Sequence, residues 1–378
     1  HNNWSLTSDD GVNLLEPGKN PHENKMFLLV LACILKAVDE HADLLRVSAA
    51  DVGNDQRLGG NEAPPAVISV FLGDQLEDVL DQILKNGEAT HSIKGEKFAT
   101  GVTTLPDFRK DATDRNRTSP FAFTGNKFEF RMLGSQDSLS NCNVVLNTIA
   151  AEAFEEACDR LEKADDFDKE LNALIVEYTE KHKRIIFSGN GYSKEWQEEA
   201  QRRGLPNLPT MVDAIPALTT DASIDMFEHF KVFTKAELEA RAEIQYEIYA
   251  KAINIEARTM IDMATKQIIP AVVKYTTVLA ESVNQVRTAG GNYNVSVQER
   301  LLEKTSSLLA ESYEALNHLA EVTEEIEKKQ EGPERARYCL DVIMSAMTAL
   351  RTPVDKLEMI VDKEMWPMPS YGDLMFIL

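Results

Sequence analysis

Four short stretches of this chain gather residue types that bind metal ions, carboxylates and phosphates. His1-Asn2-Asn3-Trp4-Ser5 comes first. In a strand, His1, Asn3 and Ser5 share a face, so a metal-binding imidazole and a hydroxyl can address one cavity. A solvated terminal histidine is the plainer account. The second stretch is Gly53-Asn54-Asp55-Gln56-Arg57-Leu58-Gly59-Gly60-Asn61-Glu62-Ala63-Pro64. Here Arg57 can clamp a carboxylate with a bidentate fork, and the glycines let the backbone carry Glu62 over a ligand. A surface loop with incidental charges competes with that reading.

The third stretch, Asp114-Arg115-Asn116-Arg117-Thr118-Ser119-Pro120, sets two arginines before an apolar strand in an acidic protein. Planar, permanently charged donors suit polyphosphate, although surface salt bridges would use the same residues. In the fourth, alternation puts Lys127, Glu129 and Arg131 on one strand face and Phe128 and Phe130 on the other. A carboxylate flanked by cations can bind a divalent ion while the cations take phosphate and substrate carboxylate. Cross-strand charge pairs on a wet sheet would read identically.

The elements that must position these residues are legible in outline. Trp4 to Leu15 predicts a hairpin turning at Asp9-Asp10-Gly11. Asn20, Pro21 and Glu23 predict a helix start, running to Leu45. Residues 48–65, with Gly53, Gly59, Gly60, Pro64 and Pro65, read as a loop. Ala66–Leu72 reads as a strand, Asp74–Leu84 as a helix and Phe121–Arg131 as strand again. After Leu139 the pattern is helical almost throughout, broken at Gly189-Asn190-Gly191 and over Leu205–Pro216. Thr234 and Glu237 form a capping-box pattern before a long helix that Pro270 should kink or stop. Gly290-Gly291 and Gly332-Pro333 mark turns around Val295–Lys329, so long antiparallel helices are expected.

Composition narrows the classes. A formal charge of -22 argues against nucleic-acid and anionic-membrane partners, which need a cationic surface. Cys33, Cys142, Cys158 and Cys339 are far apart, which predicts reduced thiols rather than a zinc knuckle or a disulfide scaffold. The most apolar run, Met26–Val38, is interrupted by Lys36 and is short of the roughly 20 residues of a membrane span, so it predicts a buried helix. At 378 residues the chain can hold two regions. It opens at His1, without signal peptide or initiator methionine, in a strand-like segment, as if inside a longer chain.

Taken in order, His-x-Asn-aromatic-Ser, the Arg57-Leu58 glycine loop ending Glu62-Ala63-Pro64, Asn116-Arg117-Thr118-Ser119 and Phe128-Glu129-Phe130-Arg131 resemble the carboxyl-terminal half of the glutamine synthetase catalytic domain. Gly60-Asn61-Glu62-Ala63-Pro64-Pro65 and Asn116 through Phe123 look like its type III branch. The resemblance implies an α+β fold. Residues 1–160 would be a partial catalytic domain, an antiparallel sheet with helices, and residues 161–378 a long helical extension.

It further implies ATP as cosubstrate, Mg2+ or Mn2+ as metal, and glutamate and ammonia as substrates. By position, His1 and Glu129 would ligate the metal, and Arg57 and Arg131 would hold glutamate. Arg117 would neutralise the transferring phosphoryl group, with Arg115 and Lys127 at the phosphates and Ser5 near the nucleotide sugar. Glu62 would act as base from the flap over the intermediate. A cytoplasmic homo-oligomer of two stacked rings is the family habit. Arg57 and Glu62 stand one residue closer than in other branches, and Ala122 replaces a usual arginine. Further metal-binding glutamates lie upstream in the family, so these residues alone are expected to be inactive. A related γ-glutamyl-amine ligase and a non-catalytic helical assembly module are the alternatives.

Overall fold

The computed structural model describes residues 1–60, 63–93, the strand pair 97–98 and 108–109, 118–135 and 137–376. The fold is α+β, with a small sheet near the start and helices through the carboxyl-terminal region. Its Cα packing divides the chain into His1–Ala242 and Glu243–Leu378.

The first unit is built on a four-stranded sheet of β1 (Asn2–Trp4), β2 (Val70–Phe71), β5 (Phe121–Phe123) and β6 (Phe128–Phe130), in the order β1-β6-β5-β2. A separate antiparallel pair joins β3 (Lys97–Phe98) to β4 (Phe108–Arg109). The main sheet departs from the wholly antiparallel expectation. β1 and β5 flank β6 antiparallel, but β2 runs parallel to β5. A parallel neighbour needs a crossover, and the chain between Phe71 and Phe121 supplies it. The hairpin after β1 is present in reduced form, as a Thr7–Asn13 bridge closed where Gly11 takes φ +86°.

One sheet face is oily. Phe121 stacks on Phe128 with ring centroids 4.5 Å apart, and Phe123 meets Phe128 edge-on at 5.3 Å. That face packs on α1 (Lys25–Glu40) through Phe27, whose ring lies 5.8 Å from Phe123. It is also tied to α5 (Leu139–Glu162), because Asn2 Nδ2 donates to Asn143 Oδ1 at 2.7 Å and Trp4 Nε1 to Asn147 Oδ1 at 2.9 Å. The apolar run inside α1 is buried, as its composition predicts. Among the described residues no helix is long and apolar enough to cross a membrane.

The helix expected from Asn20 to Leu45 is in fact three pieces. A 3₁₀ turn covers Pro21–Glu23, Asn24 caps α1 by accepting from Phe27 N at 3.1 Å, and α2 (Ala42–Val47) restarts after His41. Asn20 makes no cap bond; its amide instead donates to Glu23. The expected loop 48–65 contains a helix, α3 (Val52–Arg57), whose cap is Asp51, accepting from Gly53 N at 2.9 Å. α4 (Asp74–Asn86) extends two residues beyond its expected end and stops at Gly87 in the left-handed region.

α6 (Phe167–His182) packs parallel to α1, with Lys36 over the Tyr178 ring and, one turn on, a buried Asp39 carboxylate locking the two carboxyl-terminal ends. His182 Nδ1 lies 2.8 Å from Asp39 Oδ2, and Arg184 Nε donates to Asp39 Oδ1 at 2.9 Å. α7 (Lys194–Arg202), α8 (Met211–Ala214) and α9 (Asp221–His229) complete the unit, and α10 (Lys235–Met263) begins with the predicted Thr234–Glu237 box.

In the second unit α10 passes into α11 (Ile269–Thr288) through a π-helical turn at Ala264–Ile268. Pro270 therefore neither stops the chain nor sits in an α-helical interior, because the widened turn accommodates its missing N–H. α12 (Ser296–Glu324), α13 (Pro333–Tyr338), α14 (Met344–Glu358) and the short α15 (Tyr371–Met375) follow. Ile268, Val272, Leu308, Leu357 and Val361 form the core that holds α11, α12 and α14 together.

Candidate active site on the charged face of the sheet

Strand register decides which side chains meet. Asn3 lies opposite Glu129, which lies opposite Ala122, which lies opposite Phe71. Directly opposed residues point to the same face, so Asn3, Glu129 and Ala122 share it; Arg131, one residue past β6, reaches back to Glu129, and His1, Ser5 and Lys127 each stand one residue outside the paired segments. The two motifs, separated by more than a hundred residues, thus meet on adjacent strands of one sheet, while Phe121, Phe123, Phe128 and Phe130 take the other face.

Glu129 and Arg131 form the centre. Arg131 is 4% exposed, and its Nε and Nη2 both donate to Glu129 Oε2 at 3.0 Å. Both bonds fall on one oxygen, and among the described residues none falls on Glu129 Oε1. Arg57 joins from α3. Its Nη1 donates to Asn54 Oδ1 at 2.7 Å and to the Met132 carbonyl at 3.1 Å, and Nη2 reaches the Arg131 carbonyl at 3.5 Å. One arginine thus braces the main chain that carries the other.

Asn54 holds this arrangement from beneath. It is buried, and its Nδ2 donates to the carbonyls of Ala49 and Met132, each at 2.7 Å. Its neighbour Asp55 anchors α3 on the far side, where both carboxylate oxygens accept from Met211 N at 2.8 and 2.9 Å and Arg46 lies 3.6 Å away. Burial pushes the Asp55 carboxyl up to about 6, outweighing the Met211 bond and the Arg46 charge. Burial also draws Arg46 below its usual value. Sequence reading passed over both residues because the glycines around them hid α3; Asp51 before Val52-Gly53 was the available capping signal.

Lys127 is half-buried, and among the described residues its ammonium makes no ion pair. Ser5 is more committed. Its hydroxyl bonds to Asn13 Oδ1 at 2.8 Å and to the Asn126 carbonyl at 3.2 Å, stapling the first hairpin to the β5–β6 turn. A nucleotide contact from Ser5 would have to displace one of these bonds. His1 is exposed, one residue before β1. Ala122 is fully buried beside Glu129, so a side chain the size of arginine has no counterpart in that row. Glu62, Arg115 and Arg117 lie outside the described residues, as do the interior positions of the flap; its base is closed by Gly59 N donating to the Pro64 carbonyl at 3.0 Å.

Among the described residues no three His, Cys, Asp or Glu side chains are gathered to hold a metal ion. The described residues offer one carboxylate with one oxygen bonded by Arg131, and one exposed imidazole just before the neighbouring strand. That pair fits part of a divalent-cation shell and requires further donors from elsewhere. Chemically, a carboxylate, two guanidinium groups and the Lys127 ammonium, which has no ion pair among the described residues, make a composition suited to binding polyanions beside a cation.

Residues 170–287 match the family model described as the glutamine synthetase C-terminal domain. The chain is 39% identical over 388 residues to the type-3 glutamine synthetase of Dictyostelium discoideum, covering all of this chain and 52% of the relative. It is 40% identical over 381 residues to a glutamine synthetase of Butyrivibrio fibrisolvens and 36% identical over 386 residues to one of Bacteroides fragilis, covering 54% and 53% of those proteins. The α+β chain with its charged sheet face is therefore a glutamine synthetase homologue. Its homology to the type-3 enzyme runs from end to end, and the chain spans about half the length of the curated relatives it matches.

Proposed function

We propose that this chain is the carboxyl-terminal part of a type-3 glutamine synthetase and carries half of a site that joins ammonia to L-glutamate at the expense of ATP. The observation that supports the reading is the Asn3–Glu129 register, which brings the first motif beside the strand of Glu129, with Arg131 bonded to Glu129 and Arg57 to the main chain of Arg131 and Met132. Residues 1–160 supply the site half and residues 161–378 the helical extension. The full protein would be a cytoplasmic homo-oligomer, with two stacked rings.

In this reading Arg57 and Arg131 orient glutamate through its carboxylates, their planar forks matching the two oxygens. The side-chain carboxylate of glutamate attacks the γ-phosphorus of ATP, the bond to ADP breaks, and γ-glutamyl phosphate forms. Lys127, Arg115 and Arg117 offset the charge on the phosphates, with Ser5 toward the ribose. Glu62 takes a proton from ammonium; the freed ammonia adds to the acyl carbon and phosphate leaves. Closure over the acyl phosphate keeps water from competing. His1 and Glu129 would hold one Mg2+ or Mn2+, whose charge polarises the phosphates when bound.

A γ-glutamyl-amine ligase shares the acid and differs in the amine. Phosphate release by the full-length protein, measured with glutamate and ATP and with ammonia or a polyamine, separates the two. Ammonia-dependent release is expected; release with the polyamine alone would move the assignment to the amine ligases, and no nucleotide binding at all would favour a helical assembly module. The present residues alone are expected to be inactive, since the remaining metal donors would come from upstream.

A further inference from the structure

Residues of α4 and of the end of α6 line a cavity of about 400 Å³, a size typical of small-molecule sites. Its lining is charged in both senses. On α4, Glu77, Leu80, Asp81 and Leu84 recur at helical spacing, so two carboxylates and two leucines share one helix face. The cations come from elsewhere: Lys183 and Arg184 follow α6, and Arg203 follows α7. Ile186 adds a third apolar side chain.

Several polar groups of this lining are unclaimed among the described residues. Thr179 of α6 is fully buried, and its hydroxyl makes no hydrogen bond, not even the back-bond to the preceding turn common for a helical threonine. Asp81 and Lys183 are exposed and have no ion pair. Arg184 uses Nε on the buried Asp39 carboxylate, at 2.9 Å to Oδ1, and Nη1 on the Arg203 carbonyl at 3.4 Å, which leaves Nη2 unbonded. Glu77 accepts from the Ser188 hydroxyl, yet burial still holds its carboxyl above the usual carboxylate range, and the charges of Asp74 and Asp81 add to the rise. A cation beside Glu77 and Asp81 would relieve that repulsion.

The cationic part is preformed. Arg203 Nε donates to Glu199 Oε1 at 2.8 Å, and its Nη1 donates to the carbonyls of Arg184 and Ile186 at 3.2 and 2.9 Å. Ile186 pairs with Val70 of β2, Phe187 N donates to the Val70 carbonyl at 2.9 Å, and further on Gly191 N is clamped on Thr118 Oγ1 at 2.8 Å. The segment bearing Lys183 and Arg184 is thus fixed at one end by α6 and at the other by the sheet.

We infer that this cavity binds a small zwitterion, an amino acid with an apolar body. Its ammonium meets Glu77 and Asp81, its carboxylate meets Lys183 and Arg184 Nη2, and its carbon chain lies on Leu80, Leu84 and Ile186. A ligand of one charge alone would leave either the acids or the cations unmatched and meet like charge at the other set. The site involves none of the residues given roles in glutamine formation, so it stands or falls separately from that reading.

Isothermal titration of the full-length protein with L-leucine and with ε-aminocaproate tests this. The two probes separate a ligand whose charges adjoin from one whose charges stand at opposite ends of its chain, and hexanoate and pentylamine, each with one of the two charges, are the controls. At least one zwitterion should bind, with both controls weaker by about 10-fold or more, the loss of one charge-assisted contact. Asp81→Ala and Lys183→Ala, both at exposed positions, should each weaken that zwitterion by about 10-fold while Tm stays within a few degrees. No binding of either zwitterion, equal binding of hexanoate or pentylamine, or unchanged affinity in either variant would overturn the inference; unchanged affinity in both would mean that the probe occupies another site, such as that of glutamate.

Discussion

Arg131 donates from two of its nitrogens to a single oxygen of Glu129, at 3.0 Å each, on a sheet face where Glu129 also stands opposite Asn3. The pair is thereby divided: one carboxylate oxygen is fixed by the guanidinium, and the other has no hydrogen bond among the described residues. Because Arg131 is buried, its fork direction is set by the fold rather than by solvent. Replacing it with lysine keeps the charge and loses the fork. Arg131→Lys in the full-length enzyme should raise the glutamate KM by about 10- to 100-fold, the equivalent of one charge-assisted bond of about 1.5–3 kcal/mol. Steady-state kinetics with varied glutamate checks this, and an unchanged KM would remove Arg131 from the substrate site.

Asn54 and Arg57 separate support from binding. Truncating Asn54 leaves the buried Ala49 carbonyl without its side-chain donor, removes one of two donors from the Met132 carbonyl and takes the acceptor from Arg57 Nη1. Asn54→Ala should therefore destabilise the fold by about 2–4 kcal/mol, visible in denaturant unfolding. Arg57→Ala should leave stability nearly unchanged by comparison and raise the glutamate KM. The reverse pattern would mean that Arg57 is a structural brace only.

Asp55 makes the stability of this region depend on pH. Burial pushes its carboxyl up from the ordinary 3.8 to about 6, so the folded state holds the proton more tightly than the unfolded chain. The contribution is fully present below the unfolded value and is lost as pH rises through about 6, a change on the order of 2–3 kcal/mol. Unfolding free energy measured from pH 4 to 7 should carry this downward component, and Asp55→Asn should remove it. An identical profile in the variant would refute it.

How much of this was readable beforehand depends on distance along the chain. The alternation Lys127-Phe128-Glu129-Phe130-Arg131 announces its own two faces, and the Thr234–Glu237 box announces its helix, because both are local patterns. The fold class and the long carboxyl-terminal helices were legible for the same reason. α3 was missed because Gly53, Gly59 and Gly60 outweighed six helical residues held mainly by tertiary contacts of Asn54 and Asp55. Pro270 misled because relief by a π turn depends on packing around Ile268. The parallel β2–β5 pairing and the Thr118–Gly191 clamp join residues about 50 and 73 positions apart, and no local period encodes either.

The claim at the centre is that Glu129, facing β1 across the sheet, is a metal-binding carboxylate of a glutamine-forming site. Its most direct test is Glu129→Ala in the full-length protein, assayed for glutamine formation over a titration of Mg2+ and Mn2+. Removing a ligand to the cation at the phosphates should cost several kcal/mol, so activity should fall by at least about 100-fold and the metal concentration needed should rise. Metal-dependent glutamine formation equal to that of the unaltered enzyme would contradict the account.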